Sequence, residues 1–223
     1  MKRIGLLTSG GDCQALNAAM RGVVKCLVNS GEEVEIYGFL DGYRGLIYGN
    51  FRMLEGKDFS GIDVNFCRDG DSFVVGGLQI SAFTISHDAR EPLQFHMTDG
   101  AMKFGMLTDT GQVTPHIANA LSGCDALMVE CNYDDRMLEK SAYPFYLKKR
   151  ISSVYGHLSN SCAGEFLAQV DHSRLKKVIG AHLSQNNNLP ELAREAIEEV
   201  VDAGRTEIVV AGQDDGFEWT EIA

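Results

Sequence analysis

Three side chains that could bind a metal each follow an apolar, strand-like run. His87 comes after LQISAFTIS, Asp109 after KFGMLT, and His182 after KKVIGA. A rigid sheet holds ligands at such strand ends in many metal hydrolases. A single histidine or aspartate at a strand end is more often a structural cap, so the prediction depends on the three together. Imidazole nitrogens and a carboxylate suit zinc or manganese, and the sequence therefore predicts a divalent-metal site.

The elements that must position these side chains alternate along residues 62–223. Short strands with turn signals begin near Asp71, and Asp99-Gly100 between two apolar runs predicts a hairpin. Helical patterns then alternate with the strands DALMVECN, KKVIGAHLS and RTEIVVAGQ, and one helical stretch is predicted over residues 134–153. LPELAREAIEEVVDAG predicts an amphipathic helix. This alternation indicates the α/β class.

A second candidate site lies near the amino terminus. KRIGLLTS predicts a buried strand that meets Gly10-Gly11-Asp12, and a helical stripe follows as far as Gly31. Backbone N–H groups and the helix dipole at such a junction favour a phosphate. The same turn is common in α/β proteins that bind no phosphate, and neither G-x-x-x-x-G-K-[ST] nor G-x-G-x-x-G is present. Both interpretations stay open on spacing alone.

Composition and charge restrict the classes of function. The hydrophobic content of 44% and charged content of 23% are typical of a globular protein, and no apolar run is long enough to span a bilayer. The amino terminus has no signal-peptide core and the six cysteines form no C-x-x-C pair, so we expect a cytoplasmic protein with reduced thiols. The net charge of -11 disfavours non-specific nucleic-acid binding.

Residues 1–61 resemble the amino-terminal βαβ unit of bacterial phosphofructokinases. The segments LTSGGDCQALNAAMRGVVK, IYGFLDGYRGL and KDFSGI agree with that family in order. The resemblance implies a Rossmann-like βαβ unit whose glycine loop meets nucleotide phosphates, with contacts at Gly10, Gly11, Asp12 and Tyr43. The family's G-G-D-G-S and T-I-D-N-D-type segments do not follow. We therefore expect no sugar-phosphate kinase activity.

Residues 62–223 resemble the C-terminal part of a metallo-β-lactamase-fold hydrolase of the phosphodiesterase and nuclease type. ISHDAREPLQF, GMLTDTG, ALMVECNYD, GHLSN, AHLSQNNNLPELA and QDDGFEW carry the resemblance. It implies a partial αββα sandwich and hydrolysis by a hydroxide that bridges two metals. His87, Asp109 and His182 would be metal ligands, Asp109 would bridge both ions, and His157 would act near the substrate.

The family's H-x-H-x-D-H element is absent, since no histidine precedes His87. A catalytic zinc needs three protein ligands, and a two-metal site needs more than the remaining groups supply. We therefore expect metal binding to be weak or lost, with activity impaired. Three hypotheses follow. The first is such a hydrolase, which acts on a phosphodiester or another small-molecule substrate and is completed by another copy or another chain. The second is a nucleotide- or phosphate-binding module, and the third is a chimera without evolved activity.

Overall fold

The computed structural model describes residues 2–6, 23–24, 27, 31, 33–40, 47–54, 67–89, 91–212 and 216–222. Its contacts divide the chain into two compact units, Met1–Phe66 and Cys67–Ala223. The domain boundary predicted between residues 61 and 62 falls outside the described ranges and stays a prediction.

The first unit contains a three-stranded sheet. Its strands are β1 (Lys2–Leu6), β2 (Val34–Phe39) and β3 (Phe51–Leu54), in the order β1-β2-β3. β1 and β2 are parallel, and β2 and β3 are antiparallel. A parallel pair requires a crossover connection, as a βαβ unit has. The predicted phosphate-binding residues lie outside the described ranges, so their role stays a prediction: Gly10, Gly11, Asp12 and Tyr43.

The second unit is built on a seven-stranded mixed sheet. Its strands are β4 (Ser72–Val75), β5 (Leu78–Thr84), β6 (Leu93–Thr98), β7 (Lys103–Leu107), β8 (Ala126–Glu130), β9 (Lys177–Ala181) and β10 (Glu207–Val210). The order is β10-β9-β8-β7-β6-β5-β4. β7 to β10 run parallel, whereas β4 to β7 alternate in direction. The carboxyl ends of β5, β7, β8 and β9 therefore share one edge of the sheet.

Five helices lie between or after these strands in the described part of the second unit. They are α1 (Pro115–Leu121), α2 (Asp135–Lys140), α3 (Phe145–Ile151), α4 (Asn160–Leu167) and α5 (Pro190–Glu198). Thr114, Asp134 and Ser159 cap α1, α2 and α4, because each side chain accepts a bond from a first-turn N–H. The single helical stretch predicted over residues 134–153 is wrong: Pro144 lacks an N–H and separates α2 from α3.

The core lies between the sheet and helices α1, α4 and α5. Its fully buried side chains come from both layers: Leu107, Leu127, Val129 and Val178 from the strands, and Ile117, Leu121, Phe166, Leu167 and Ile197 from the helices. Burial of each such side chain contributes about 1.5–3 kcal/mol. This packing makes the sheet a rigid support for the loops at its edge.

β4 is one of the two edge strands of the sheet, and all four of its residues are exposed. The exposed fractions of Phe73, Val74 and Val75 are 40%, 70% and 57%. Its apolar side chains are therefore largely outside the core. Among the described residues, no helix combines the length and apolar character needed to cross a bilayer.

Candidate metal centre

The shared edge of the sheet brings the predicted site residues together. His87 follows β5, Asp109 follows β7, and His182 follows β9 directly. Glu130 is the last residue of β8, which lies between β7 and β9. The site is thus assembled from the carboxyl ends of strands that point the same way, where open α/β sheets commonly place their ligands.

His157 reaches this edge from the loop between α3 and α4. Two glycines allow close backbone packing here: Gly111 lies between this loop and the chain that follows Asp109, and Gly156 lies between the loop and the end of α3. A Cβ on Gly111 would lie 2.3 Å from the carbonyl oxygen of Ser153, and one on Gly156 would lie 2.0 Å from that of Ile151. Only glycine permits this approach. The backbone N–H of Gly111 also donates to the carbonyl of Ser86 at 2.9 Å, so the loops that carry the site are held together.

The Asp109 carboxylate lies at the centre of three imidazoles. Its Oδ1 is 3.9 Å from His87 Nε2, 4.0 Å from His157 Nδ1 and 3.9 Å from His182 Nδ1. The His157 ring is 5.5 Å from the His87 ring and 5.2 Å from the His182 ring, measured between centroids. Donor atoms of Asp109, Glu130, His157 and His182 lie within 4.8 Å of one another. The structure thus brings all four predicted catalytic and metal-binding residues together.

Glu130 positions two of the imidazoles from beneath. Its side chain is fully buried, and Oε1 accepts bonds from His157 Nδ1 and His182 Nδ1, both at 2.7 Å. Oε2 accepts the backbone N–H groups of Thr110 at 3.1 Å and Leu158 at 3.4 Å. These four donors occupy the four lone-pair positions of a carboxylate. Glu130 is therefore a positioning group, because both of its carboxylate oxygens already accept hydrogen bonds from other residues of the chain.

Hydrogen bonding sets the tautomer of each imidazole. A carboxylate or carbonyl oxygen can only accept, so the Nδ1 of His157 and His182 carries the proton donated to Glu130. His87 Nδ1 lies 3.2 Å from the carbonyl oxygen of Gly156 and is protonated for the same reason. The Nε2 lone pair of all three rings is then available to a ligand, an arrangement typical of metal-binding histidines.

The same contacts shift two pKa values. The hydrogen bond to Glu130 raises the pKa of His182, although burial opposes it. Burial by itself raises the pKa of Glu130, but the hydrogen bonds from His157 and His182 outweigh it and the net pKa is lowered. The buried carboxylate is therefore ionised and balanced by the imidazoles that it holds.

Backbone conformation at the site is strained. In the described part of the chain, the non-glycine residues with positive φ are Asp109, at 54°, and His182, at 60°. Aspartate and histidine tolerate this left-handed region better than most residues, yet it still costs free energy. Asn132 supports the conformation, because its side-chain amide donates to the His182 carbonyl at 2.8 Å. Its backbone also bonds to Leu158 and Ser184, at 2.9 and 2.8 Å.

The donor set fits a divalent ion. One carboxylate and imidazoles that present Nε2 lone pairs match zinc or manganese chemistry. Asp109 with two imidazoles supplies the three protein ligands that a catalytic zinc requires, and the third imidazole is left over. The groups present thus fit one ion, and a pair of ions would need further ligands.

Sequence reasoning found the three histidines and Asp109 but missed Glu130, Asn132 and the glycine contacts. Glu130 carried a signal, because a glutamate in the otherwise apolar strand ALMVE must be paired if it is buried. The roles predicted for His87, Asp109, His157 and His182 stay predictions, although their proximity is established.

Comparisons with known proteins find relatives of two kinds. A phosphofructokinase family model matches residues 3–66, and ATP-dependent 6-phosphofructokinase of Halalkalibacterium halodurans is 54% identical over 55 residues, 25% of this chain and 17% of that protein. Exodeoxyribonuclease YycJ of Bacillus anthracis is 35% identical over 133 residues, 60% of this chain and 50% of that protein. The chain spans about half the length of the curated exodeoxyribonuclease that it matches.

A solved structure shows the fold. The metallo-β-lactamase fold protein YhfI from Bacillus subtilis superposes with a TM-score of 0.57 at 17% sequence identity, covering 98% of this chain and 77% of that one. The expected resemblance to two families and the expected α/β fold class are confirmed. The chain has a metallo-β-lactamase-type fold, and its residues 3–66 are similar to phosphofructokinase.

Proposed function

We propose that the second unit is a divalent-metal-dependent phosphodiester hydrolase that works with a single ion and therefore at reduced rate. The observation that carries this proposal is the proximity of three imidazoles to Asp109 Oδ1, which lies 3.9 Å from His87 Nε2 and 3.9–4.0 Å from the Nδ1 atoms of His182 and His157. The exodeoxyribonuclease relative supports a phosphodiester as the substrate class. The missing H-x-H-x-D-H element supports the reduced rate.

The protein residues divide the work. Asp109, His182 and His87 would hold a zinc or manganese ion, and such an ion would supply Lewis acidity toward a phosphoryl oxygen. His157 is oriented by Glu130, which accepts from its Nδ1 at 2.7 Å, as a carboxylate orients a catalytic imidazole. In this role His157 would donate a proton to the leaving oxygen of a diester, which is general acid catalysis.

Metal content and hydrolysis test the proposal together. After mild chelation and dialysis, the purified chain should retain close to one zinc or manganese ion, measured by elemental mass spectrometry. Asp109→Asn should lose the ion, whereas Asp202→Asn, an exposed carboxylate beyond α5, should keep it. Wild-type protein should hydrolyse bis(p-nitrophenyl) phosphate when metal is added, and the hydrolysis should stop in EDTA. Absence of both metal and hydrolysis would contradict the proposal.

Two histidine variants separate the roles. His87→Ala should reduce metal content, whereas His157→Ala should keep the ion and lower kcat about 10²–10⁴-fold, as removal of a general acid does. The opposite pattern would exchange the two roles, since both rings lie about equally far from Asp109 Oδ1.

A second function is favoured by the match of residues 3–66 to phosphofructokinase. We propose that the first unit binds a nucleotide phosphate at Gly10, Gly11 and Asp12, with Tyr43 beside it. ATP or ADP should then raise the melting temperature, because a ligand that binds only the folded state stabilises it. Gly11→Glu should abolish this shift, and an unchanged melting temperature of the wild-type protein in millimolar ATP would rule the site out.

A further inference from the structure

Helix α3 (Phe145–Ile151) buries none of its residues. The exposed fractions of Phe145 and Tyr146 are 80% and 74%. A helix of this length is not stable by itself in water, and two neighbouring aromatic rings held in solvent forgo the stabilisation that burial brings. Adjacent exposed aromatic side chains of this kind mark an interaction surface.

One side of α3 combines these rings with positive charge. Phe145, Tyr146, Lys149 and Arg150 are exposed, while Leu147, Lys148 and Ile151 are partly buried. Positions i, i+1, i+4 and i+5 share a helix side, so the four exposed residues form one continuous surface. We call it the aromatic–basic face. Two rings and two cations alternate around it.

The aromatic–basic face borders the candidate metal centre. Arg150 Nη2 forms an ion pair with Asp88 Oδ2, and Asp88 Oδ1 lies 3.4 Å from His87 Nε2. The backbone N–H of His157 donates to the carbonyl of Ile151, the last residue of α3, at 2.9 Å. If a polymeric substrate placed one of its phosphodiester bonds at Asp109, the neighbouring part of that polymer would therefore lie over α3.

A groove of about 510 Å³ runs beside α3 and shares two residues with the aromatic–basic face. It is lined by Phe145 and Lys149 of that face, by Lys148, and by the carboxylates of Asp135 and Glu139. Lys148 Nζ donates to the carbonyl of Glu139 at 2.6 Å. Carboxylates repel phosphates, so the two lysines are needed to offset them where a polyanion passes this groove.

We propose that the aromatic–basic face binds single-stranded nucleic acid, with phosphates on Lys149 and Arg150 and bases stacked on Phe145 and Tyr146. Stacking on aromatic rings beside a positive groove is the usual way to hold a single strand without sequence preference. The local cations explain how a chain with a net charge of -11 can meet a polyanion. The proposal rests on the proposed phosphodiesterase function, because the bound strand would be the substrate of that activity.

Binding of a fluorescein-labelled twelve-nucleotide oligothymidylate tests the face. Fluorescence anisotropy in EDTA measures affinity without hydrolysis, and an oligouridylate of equal length tells DNA from RNA. Phe145→Ala and Tyr146→Ala should each weaken binding about tenfold. Lys149→Ala combined with Arg150→Ala should lower the slope of log K against log salt by about 1.4, since each single-strand phosphate contact contributes about 0.7.

Matched variants elsewhere provide the control. Trp219→Ala removes a fully exposed ring and Arg205→Ala an exposed cation, and both should leave binding unchanged. The proposal is overturned if the wild-type chain does not bind the oligonucleotides, or if these controls weaken binding as much as the α3 variants. It is also overturned if Tyr146→Ala instead converts a dimer to a monomer, because a second copy then occupies the face.

Hydrolysis of bis(p-nitrophenyl) phosphate by the wild-type chain distinguishes the proposed hydrolase from the proposed nucleic-acid-binding face. Hydrolysis without any effect of the α3 variants on oligonucleotide binding would overturn the face and retain the hydrolase. Oligonucleotide binding that depends on α3, without hydrolysis, would retain the face and overturn the hydrolase.

Discussion

Replacing Glu130 by glutamine tests whether a buried carboxylate sets the geometry of the site. The substitution preserves shape and removes the charge, while the two imidazole donors at 2.7 Å and the two backbone donors stay in place. Glutamine has one oxygen and one NH2 group. Wherever the NH2 group points, it meets two groups that also donate, so the variant cannot satisfy all four partners.

Each orientation has a definite consequence. With the NH2 group toward the rings, His157 and His182 must move their protons from Nδ1 to Nε2 and lose the lone pairs that face a ligand. With the NH2 group toward Thr110 and Leu158, two buried backbone N–H groups lose their acceptor, at about 1–3 kcal/mol each. Loss of charge-assisted bonds adds to either outcome. We expect a loss of about 3 kcal/mol in the free energy of unfolding.

Two assays measure the effect of Glu130→Gln. Thermal unfolding in EDTA should show a melting temperature lower by about 6–12 °C, given about 2–4 °C per kcal/mol for a chain of this size. Calorimetric titration should show metal affinity reduced about 10–100-fold, the usual effect of removing a group that orients a ligand. Glu195→Gln, on the exposed side of α5, should change neither. A variant with wild-type melting temperature and metal affinity would refute the positioning role.

Three further predictions follow from the described contacts. Gly111→Ala places a Cβ 2.3 Å from a backbone oxygen, so thermal unfolding should show a loss of about 1–3 kcal/mol; an unchanged melting temperature would contradict the close contact. Asn132→Asp keeps the size of the side chain, but the new side chain cannot donate to the His182 carbonyl. Calorimetry should therefore show a metal affinity about tenfold lower, and a wild-type affinity would contradict this prediction. Burial raises the pKa of Asp125, but hydrogen bonds from Arg174 outweigh it and the net pKa is lowered. Its stabilising contribution is therefore present above the ordinary value of 3.8 and is lost as pH falls through the lowered pKa; Asp125→Asn should cost about 2 kcal/mol at pH 7 in denaturant unfolding and reduce that acid sensitivity.

Local patterns predicted the strands well because each is a short apolar run bounded by turn residues. The Asp99-Gly100 pair does join two antiparallel strands, β6 and β7, and Gly100 has a φ of 95°. Strand ends also predicted which side chains come together, since His87, Asp109 and His182 follow β5, β7 and β9. The parallel arrangement of β7, β8 and β9 could be expected from the alternation of strands and helices in that part of the sequence.

Long-range contacts were beyond local patterns. The pairing of Glu130 with two histidines joins residues that are 27 and 52 positions apart. The approach of Gly111 to the loop before His157 depends on how α3 packs, and nothing near Gly111 in sequence encodes it. The positive φ of His182 is likewise imposed by tertiary contacts such as the bond from Asn132.

The exposed strand β4 has a consequence for handling the protein. It ends the sheet with Phe73, Val74 and Val75 outside the core, and an apolar edge strand is a template on which another chain can add a strand. Concentrated protein should therefore aggregate through cross-chain sheet extension. Val74→Lys would place a charge on that edge and slow the aggregation, as lysines on natural edge strands do.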